Sequence, residues 1–325
     1  VSGTIIGHQE AVLRLQAASD AGKVASGWLF SGPRGIGKAN LALAFAARLL
    51  GAAPGEAGQL VRAGDPTLTE ASHETHPDLR VVRREAADSG KLSRDIRVDQ
   101  VRALSQFFAL TPARGGYRVG ILDAADDLNA AAANALLKTL EEPPPRACLI
   151  LIHHGEAPLL PTLRSRCRLE RFRPLTPAKS LAVLAGPLGL NAAAAQAAEL
   201  SAPGRPGLAA GAAQAGSSQA GPQAGEVLDA LLAGGTVKPE HVLRLWGVVS
   251  AGDTDARERA VAALVQVCGQ RVRSLVAAAP TPVARLKLIA AWRRVLTLAE
   301  EAATFNLAPE PMVLAMVRTI REARA

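Results

Sequence analysis

The sequence predicts a parallel α/β domain over residues 1–174, built around a phosphate loop and followed by purely helical sections. Three observations predict it. A short apolar strand, Trp28-Leu29-Phe30-Ser31, runs straight into GPRGIGKA (32–39) and then into the helix-spaced NLALAFAARLL (40–50). Strand-like and helix-like segments alternate from there to residue 172, the pattern of a parallel sheet covered on both faces. Beyond Pro174 the strand signals stop.

Element by element, QEAVLRLQAASD (9–20) has helical apolar spacing and ends near Gly22. After the strand at 28–31 and the helix at 40–50, residues 51–76 are rich in Gly, Ala, Thr and Pro and read as loop with a short helix. LRVV (79–82) is a second strand, VDQVRALSQFFAL (98–110) an amphipathic helix, and YRVGILD (117–123) a third strand ending in a carboxylate. A helix over 129–142 follows, with Asn129 as its N-cap and Pro143, Pro144 and Pro145 as its stop. CLILI (148–152) and RLERF (168–172) complete the strands. Residues 177–200 give short Ala/Leu helices. The low-complexity stretch 209–225 reads as linker or frayed helix. Apolar stripes around Leu228, Trp246, Val265, Trp292 and Val313 predict a helical bundle at the end. The expected domains are 1–174, a helical lid at 175–215 and a helical section at 216–325.

The 325 residues hold 49% hydrophobic but only 3% aromatic side chains, so the core is expected to rest on Ala, Leu and Val. Net charge is +8, a balance that fits contact with nucleic acid or another polyanion as well as it fits an Arg-rich proteome. Cys148, Cys167 and Cys268 are odd in number and lack paired spacing, which excludes a disulfide framework and suits reduced thiols. No 18-residue apolar run occurs and no basic-then-apolar leader precedes Ile5, so the expectation is a cytoplasmic protein without a membrane span.

The phosphate loop carries the chemistry. Gly32, Gly35 and Gly37 let the backbone turn its N–H groups toward phosphate oxygens, Lys38 can reach the β- and γ-phosphates, and the next helix adds its positive end. The following position should be Ser or Thr, to hold Mg²⁺, and is Ala39. The carboxylate expected at a strand end is Asp123, but the glutamate that would orient an attacking water is replaced by Ala124. Asp126 and Asp127 are expected to be solvated carboxylates leading into the next helix. Both losses point away from hydrolysis, which depends on positioning and electrostatics. Nucleotide binding survives on this reading, with ATP or ADP held statically and no cofactor required.

NALLKTLEEPP (134–144), followed by LRSRC (163–167), resembles the delta-prime subunits of bacterial DNA polymerase III clamp loaders, members of the AAA+ family. THPDL (75–79, with Thr75) and WRRVLTLAEEAATFNL (292–307) are similar to the same family. The resemblance implies an AAA+ domain, a lid and an oligomerising collar. It also implies that Arg166 is an arginine finger reaching the γ-phosphate on an adjacent subunit, a device contributing about 10³–10⁵ in rate. The implied partners are the tau/gamma motor subunits, the delta subunit, the beta sliding clamp and primer–template DNA. Many relatives carry a four-cysteine zinc module in the region matching 51–76. That stretch has no cysteine, and His73 and His76 alone cannot build a tetrahedral site, so no metal is expected. The first sensor position falls at His153 or His154. The second falls in PGRPGLA (203–209), with Arg205 out of register. Cys167 is expected to pack rather than react.

Arg94, Arg97, Arg102, Arg114 and Arg118 offer a DNA-facing set near the top of the sheet, suited to sequence-independent, salt-sensitive phosphate contacts. Two other readings stay open: an active motor-type ATPase, resting on the intact GxxxxGK, and a stand-alone nucleic-acid-binding protein.

Overall fold

The computed structural model describes residues 5–56, 59–85, 93, 95–155, 157–216, 264–265, 268–269, 271–305, 315–316, 318–320 and 322–323. Its contacts divide the chain into two units, Val1–Val183 and Leu184–Ala325.

In the first unit, α1 (Gln9–Asp20), β1 (Gly27–Ser31), α2 (Lys38–Leu49), α3 (Pro66–Ser72), β2 (Leu79–Val82), α4 (Val98–Ala109), β3 (Arg118–Asp123), α5 (Ala130–Glu141), β4 (Ala147–His153), α6 (Pro161–Ser165) and β5 (Arg168–Arg171) follow one another, and α7 (Pro177–Ala185) crosses the division. The strands form one sheet in the order β2-β3-β4-β1-β5, every pairing parallel. This is the parallel α/β phosphate-loop sheet that the sequence predicts, with each predicted strand in place.

Continuous burial along β1, β3 and β4 marks strands covered on both faces. Their side chains alternate between two cores, as a period of two requires. Trp28, Phe30, Val119, Ile121, Cys148, Ile150 and Ile152 join α1 and α2 on one side. Leu29, Leu122, Leu149 and Leu151 meet α4 and α5 on the other. The scarce aromatics are not scattered. Trp28 meets Phe45 edge-on at 5.3 Å, and Phe30 meets Phe172 at 5.2 Å. The first core is therefore organised around rings as well as around Ala and Leu.

Local signals account for the helix ends. Asn129 Oδ1 accepts from Ala132 N–H at 2.9 Å, the predicted N-cap of α5. Asp65 caps α3 through Thr67 N–H and also holds Ala53 N–H at 3.0 Å, pinning Ala53 to the start of that helix. His76 and Asp78 turn inward: the Asp78 carboxylate is 1% exposed and accepts from Ala113 and Arg114 N–H. Among the described residues, no three of His, Cys, Asp and Glu come together as a metal-ligating group.

In the second unit, α8 (Ala192–Ser201) and α9 (Pro206–Gly216) are short Ala-rich helices. The first half of the low-complexity stretch is thus regular helix, as alanine's propensity favours, and 217–225 lie outside the described residues. α10 (Pro282–Phe305) packs Leu288, Trp292 and Val295 against Leu264, Val265, Cys268 and Met316. The stripes expected around Val265 and Trp292 are helical. Those around Leu228, Trp246 and Val313 fall outside the described residues. No described helix is long and apolar enough to cross a membrane.

Candidate functional site

The site lies at the C-terminal ends of β1, β3 and β4. Gly32 donates from its N–H to His153 O at 3.1 Å, tying the start of the phosphate loop to the end of β4. A Cβ on Gly32 would fall on the Phe172 carbonyl, so only glycine fits there. Gly37 is the N-cap of α2 with φ 97°, a left-handed conformation that a side chain would strain. Gly35, at φ 83°, turns the loop between them. Lys38 is 3% exposed, and its Nζ donates to the Gly32 and Pro33 carbonyls, the latter at 2.7 Å. The loop thus has the shape of a phosphate cradle, with the lysine folded onto the loop's own oxygens.

Asp123 ends β3 beside this loop. Burial pushes its carboxyl above the usual range, while Arg83, Arg34 and Lys38 pull it back. Ala124, in the place of a water-orienting glutamate, is 2% exposed. Ala39, in the place of a metal ligand, packs its methyl group against the first core.

Asp126 is not the solvated carboxylate expected from sequence. Its side chain is 3% exposed, and it accepts from His154 N–H at 2.6 Å and Ala157 N–H at 3.2 Å, buttressing the turn that follows β4. Asp127 is also largely buried and pairs with Arg84 at 3.3 Å. The reason for both is topological. The chain leaves β3 between the ends of β2 and β4, so these carboxylates meet backbone and an arginine rather than water. An Asp three residues beyond a strand end, with a loop from the next strand to hold, was the available signal.

His153 donates from Nε2 to Ala157 O at 3.0 Å and accepts at Nδ1 from the Ser31 hydroxyl at 3.3 Å. His154 turns toward Asp123, its Nε2 3.8 Å from Asp123 Oδ1, and Nδ1 has no hydrogen-bond partner. Burial, with Lys38 and Arg34 adding to it, pushes the His154 imidazole down to about 3. It is neutral at physiological pH. Arg205 immediately precedes α9, and its carbonyl accepts from Ala209 N–H.

Arg166 lies at the other end of the sheet. Its carbonyl and the Cys167 sulfur lie against Gly27, the first residue of β1. Its guanidinium pairs with Glu141 Oε1 at 2.7 Å and donates to Thr162 O at 3.0 Å, remaining about one-third exposed. The phosphate loop begins after the last residue of β1, roughly 13 Å along the strand from Gly27. The guanidinium points toward the C-terminus of α5, on the edge opposite the loop. Cys167 is partly buried and its thiol is pushed up to about 11 by burial, so it packs rather than reacts.

Among the described residues, the arginines expected to face DNA do not form one surface. Arg97 sits at the start of α4 and Arg114 beyond its end, roughly 18 Å apart along a 12-residue helix. Arg114 makes a two-pronged contact with Glu70 at 2.7 and 3.1 Å. Arg118 is a correction. It is 7% exposed, donates to the Phe107 and Thr111 carbonyls at 2.6 Å each, stacks over Phe107, and faces Asp78 at 3.5 Å. It is a core residue, because β3 begins beneath the α4–β3 turn and a charge there must be paired. Arg94 lies outside the described residues. Arg97 and Arg102 remain exposed on α4. Arg102 opens onto a cleft of about 500 Å³ between α4 and α5 that Gln106, Asn134, Lys138 and Thr139 also line. Lys138, inside LLKTLEEPP, was missed because its neighbours in the fold are invisible in the string.

The family model described as DNA polymerase III, delta subunit, matches residues 7–176, more than half of the chain. The delta' subunit of DNA polymerase III from Pseudomonas aeruginosa is 45% identical over 143 residues, 44% of this chain and 42% of that protein. The gamma/tau subunit from Mycobacterium tuberculosis is 34% identical over 181 residues, 56% of this chain and 30% of that one. A gamma subunit-related protein of Thermotoga maritima is similar at a TM-score of 0.43 and 15% identity, covering 96% of this chain and 99% of that chain. The chain spans under half the length of the curated relatives cited. With the family model matching more than half of its length, the chain belongs to the DNA polymerase III delta-subunit family, and it is similar to the delta' subunits of that enzyme.

Proposed function

We propose that this chain is a clamp-loader subunit that does not hydrolyse ATP itself and lends Arg166 to the ATP site of a neighbouring subunit. The observation that carries the reading is the separation between Arg166 and the chain's own phosphate loop. A guanidinium at the N-terminal edge of the sheet can meet a triphosphate only on another molecule. Glu141 holds it at the surface through a half-exposed ion pair, a tether weak enough to exchange for phosphate oxygens. Ala39 and Ala124 support the other half of the reading, since neither can ligate a metal or turn a water.

The partners that follow are tau/gamma-type motor subunits, one of which supplies the ATP that Arg166 meets, a delta subunit and the beta sliding clamp. Primer–template DNA would be contacted through phosphates by Arg97, Arg102 and Lys138 on the α4–α5 face. The cradle around Lys38 would hold ATP or ADP without turning it over.

The test is reconstitution with motor and delta subunits, with clamp- and DNA-stimulated ATPase as the readout. Arg166→Ala should leave assembly intact, as judged by gel filtration, and lower turnover at the site it completes by about 10³-fold or more. An unchanged rate sinks the role. The second reading, an active motor-type ATPase, is favoured by the intact loop and buried Lys38. Appreciable turnover by the purified chain, abolished in Lys38→Ala, would establish it instead.

A further inference from the structure

β5 ends one side of the sheet and pairs with β1 alone. The Phe172 N–H donates to Ser31 O at 2.8 Å, which fixes the alternation along the strand. Arg168, Glu170 and Phe172 turn their main chain toward β1, and Leu169 and Arg171 turn theirs outward. Among the described residues, nothing bonds to that outward main chain. Arginines crowd the same edge: Arg164, Arg168, Arg171 and Arg173 are all exposed. Among the described residues none of these four has a carboxylate partner, whereas Arg83, Arg97, Arg102 and Arg114 each have one. Arg168 rests on the Trp28 ring, its guanidinium carbon 4.8 Å from the centroid. The carboxylates at this edge are already engaged. Glu170 is 3% exposed and accepts from Arg14 of α1 at 3.1 Å, and Glu141 holds Arg166. The edge therefore offers an open main-chain ladder flanked by positive charge that the described residues do not offset.

We propose that this edge takes an acidic, extended segment of a partner protein as an added strand. Its main chain pairs with Leu169 and Arg171, and its carboxylates meet Arg168, Arg171 and Arg173. The alternation of outward N–H and C=O groups favours a polypeptide over a nucleic acid, because phosphates offer no donor to the carbonyls. The same arginines repel a second copy of this edge, so the charge that guards against self-pairing also selects an acidic strand. The proposal does not rest on the role of Arg166.

The experiment titrates the full chain into a fluorescein-labelled octapeptide of alternating glutamate and valine, read by fluorescence anisotropy. Saturable binding is expected, weakening as salt rises. The double variant Arg171→Glu with Arg173→Glu should bind about tenfold more weakly or worse, with circular dichroism showing the fold retained. The unaltered chain should lose affinity by about tenfold or more for the same peptide N-methylated at alternate residues, which keeps the charge and blocks the ladder. Hydrogen exchange at Leu169 and Arg171 N–H should slow when the unmethylated peptide is bound. Equal affinity for the methylated peptide overturns strand addition. Affinity for an oligothymidylate of equal charge that matches or exceeds that for the peptide makes the edge a nucleic-acid surface and overturns the choice of partner. No saturable binding by the folded chain leaves the arginines as guards of the edge and overturns the proposal.

Discussion

Replacing Asp126 by alanine tests how the two strand ends around the cradle are kept in register. The Asp126 carboxylate is 3% exposed and receives His154 N–H at 2.6 Å and Ala157 N–H at 3.2 Å. Alanine removes two charge-assisted hydrogen bonds and strands two donors next to β4. A bond to a charged group contributes about 1.5–3 kcal/mol, and an orphaned buried donor costs about 1–3 kcal/mol. These two figures overlap in what they describe, and the exposed side of the turn lets water reach Ala157. A loss of about 3–4 kcal/mol is therefore expected, a large share of a domain's typical stability of about 5–15 kcal/mol. Asp126→Asn retains one acceptor but turns an NH₂ toward a donor, so about half that loss should remain. Urea unfolding followed by tryptophan fluorescence, which reports on buried Trp28, measures both. A loss under about 1 kcal/mol for the alanine variant would mean that Asp126 is the solvated carboxylate expected from sequence, and the buttress argument fails.

Further outcomes follow from individual residues. His154 stays neutral in the folded chain down to about pH 3, whereas the unfolded chain takes up a proton near pH 6.5. Its contribution is therefore complete above that pH and is lost as pH falls toward the folded value, at up to about 1.4 kcal/mol per unit. His154→Gln should flatten the fall in urea midpoint between about pH 7 and about pH 5, and a parallel fall would refute this. Arg118→Ala leaves buried Asp78 with backbone donors but without its charged partner and should cost about 3–5 kcal/mol. Arg102→Ala, on the solvated face of α4, should stay within about 0.5 kcal/mol in the same assay. The paired variant Arg102→Ala with Lys138→Ala should lower the slope of log affinity against log salt for primed DNA by about two in the reconstituted complex. An unchanged slope would remove the α4–α5 cleft from the DNA face. Gly32→Ala should abolish nucleotide binding or folding, since the new Cβ meets the Phe172 carbonyl.

The fold was legible because its signals are local. Trp28 to Lys38 carries a strand, a turn and a helix start in eleven consecutive residues, and β1, β3 and β4 each show an apolar run. Ala39 and Ala124 were equally legible, because they occupy places defined by their immediate neighbours. The fate of individual charges was not. Arg118 and Arg102 read alike as arginines near α4, yet one is wrapped by two carbonyls, a ring and Asp78 while the other faces an open cleft. Asp126 and Asp127 read alike as a polar pair, yet each meets a different partner from an element elsewhere in the chain. Arginine and aspartate are assigned to surface or core by what the sheet order brings beside them, and sheet order joins β3 to β2 and β4 across gaps the string does not display. Arg166 is the case where both kinds of information are needed. Its motif says which arginine to watch, and only the parallel pairing of β5 with β1 puts it at the edge opposite the phosphate loop. That arrangement turns a local motif into a geometric claim: one polypeptide cannot bring its own Arg166 and its own Lys38 to the same phosphate.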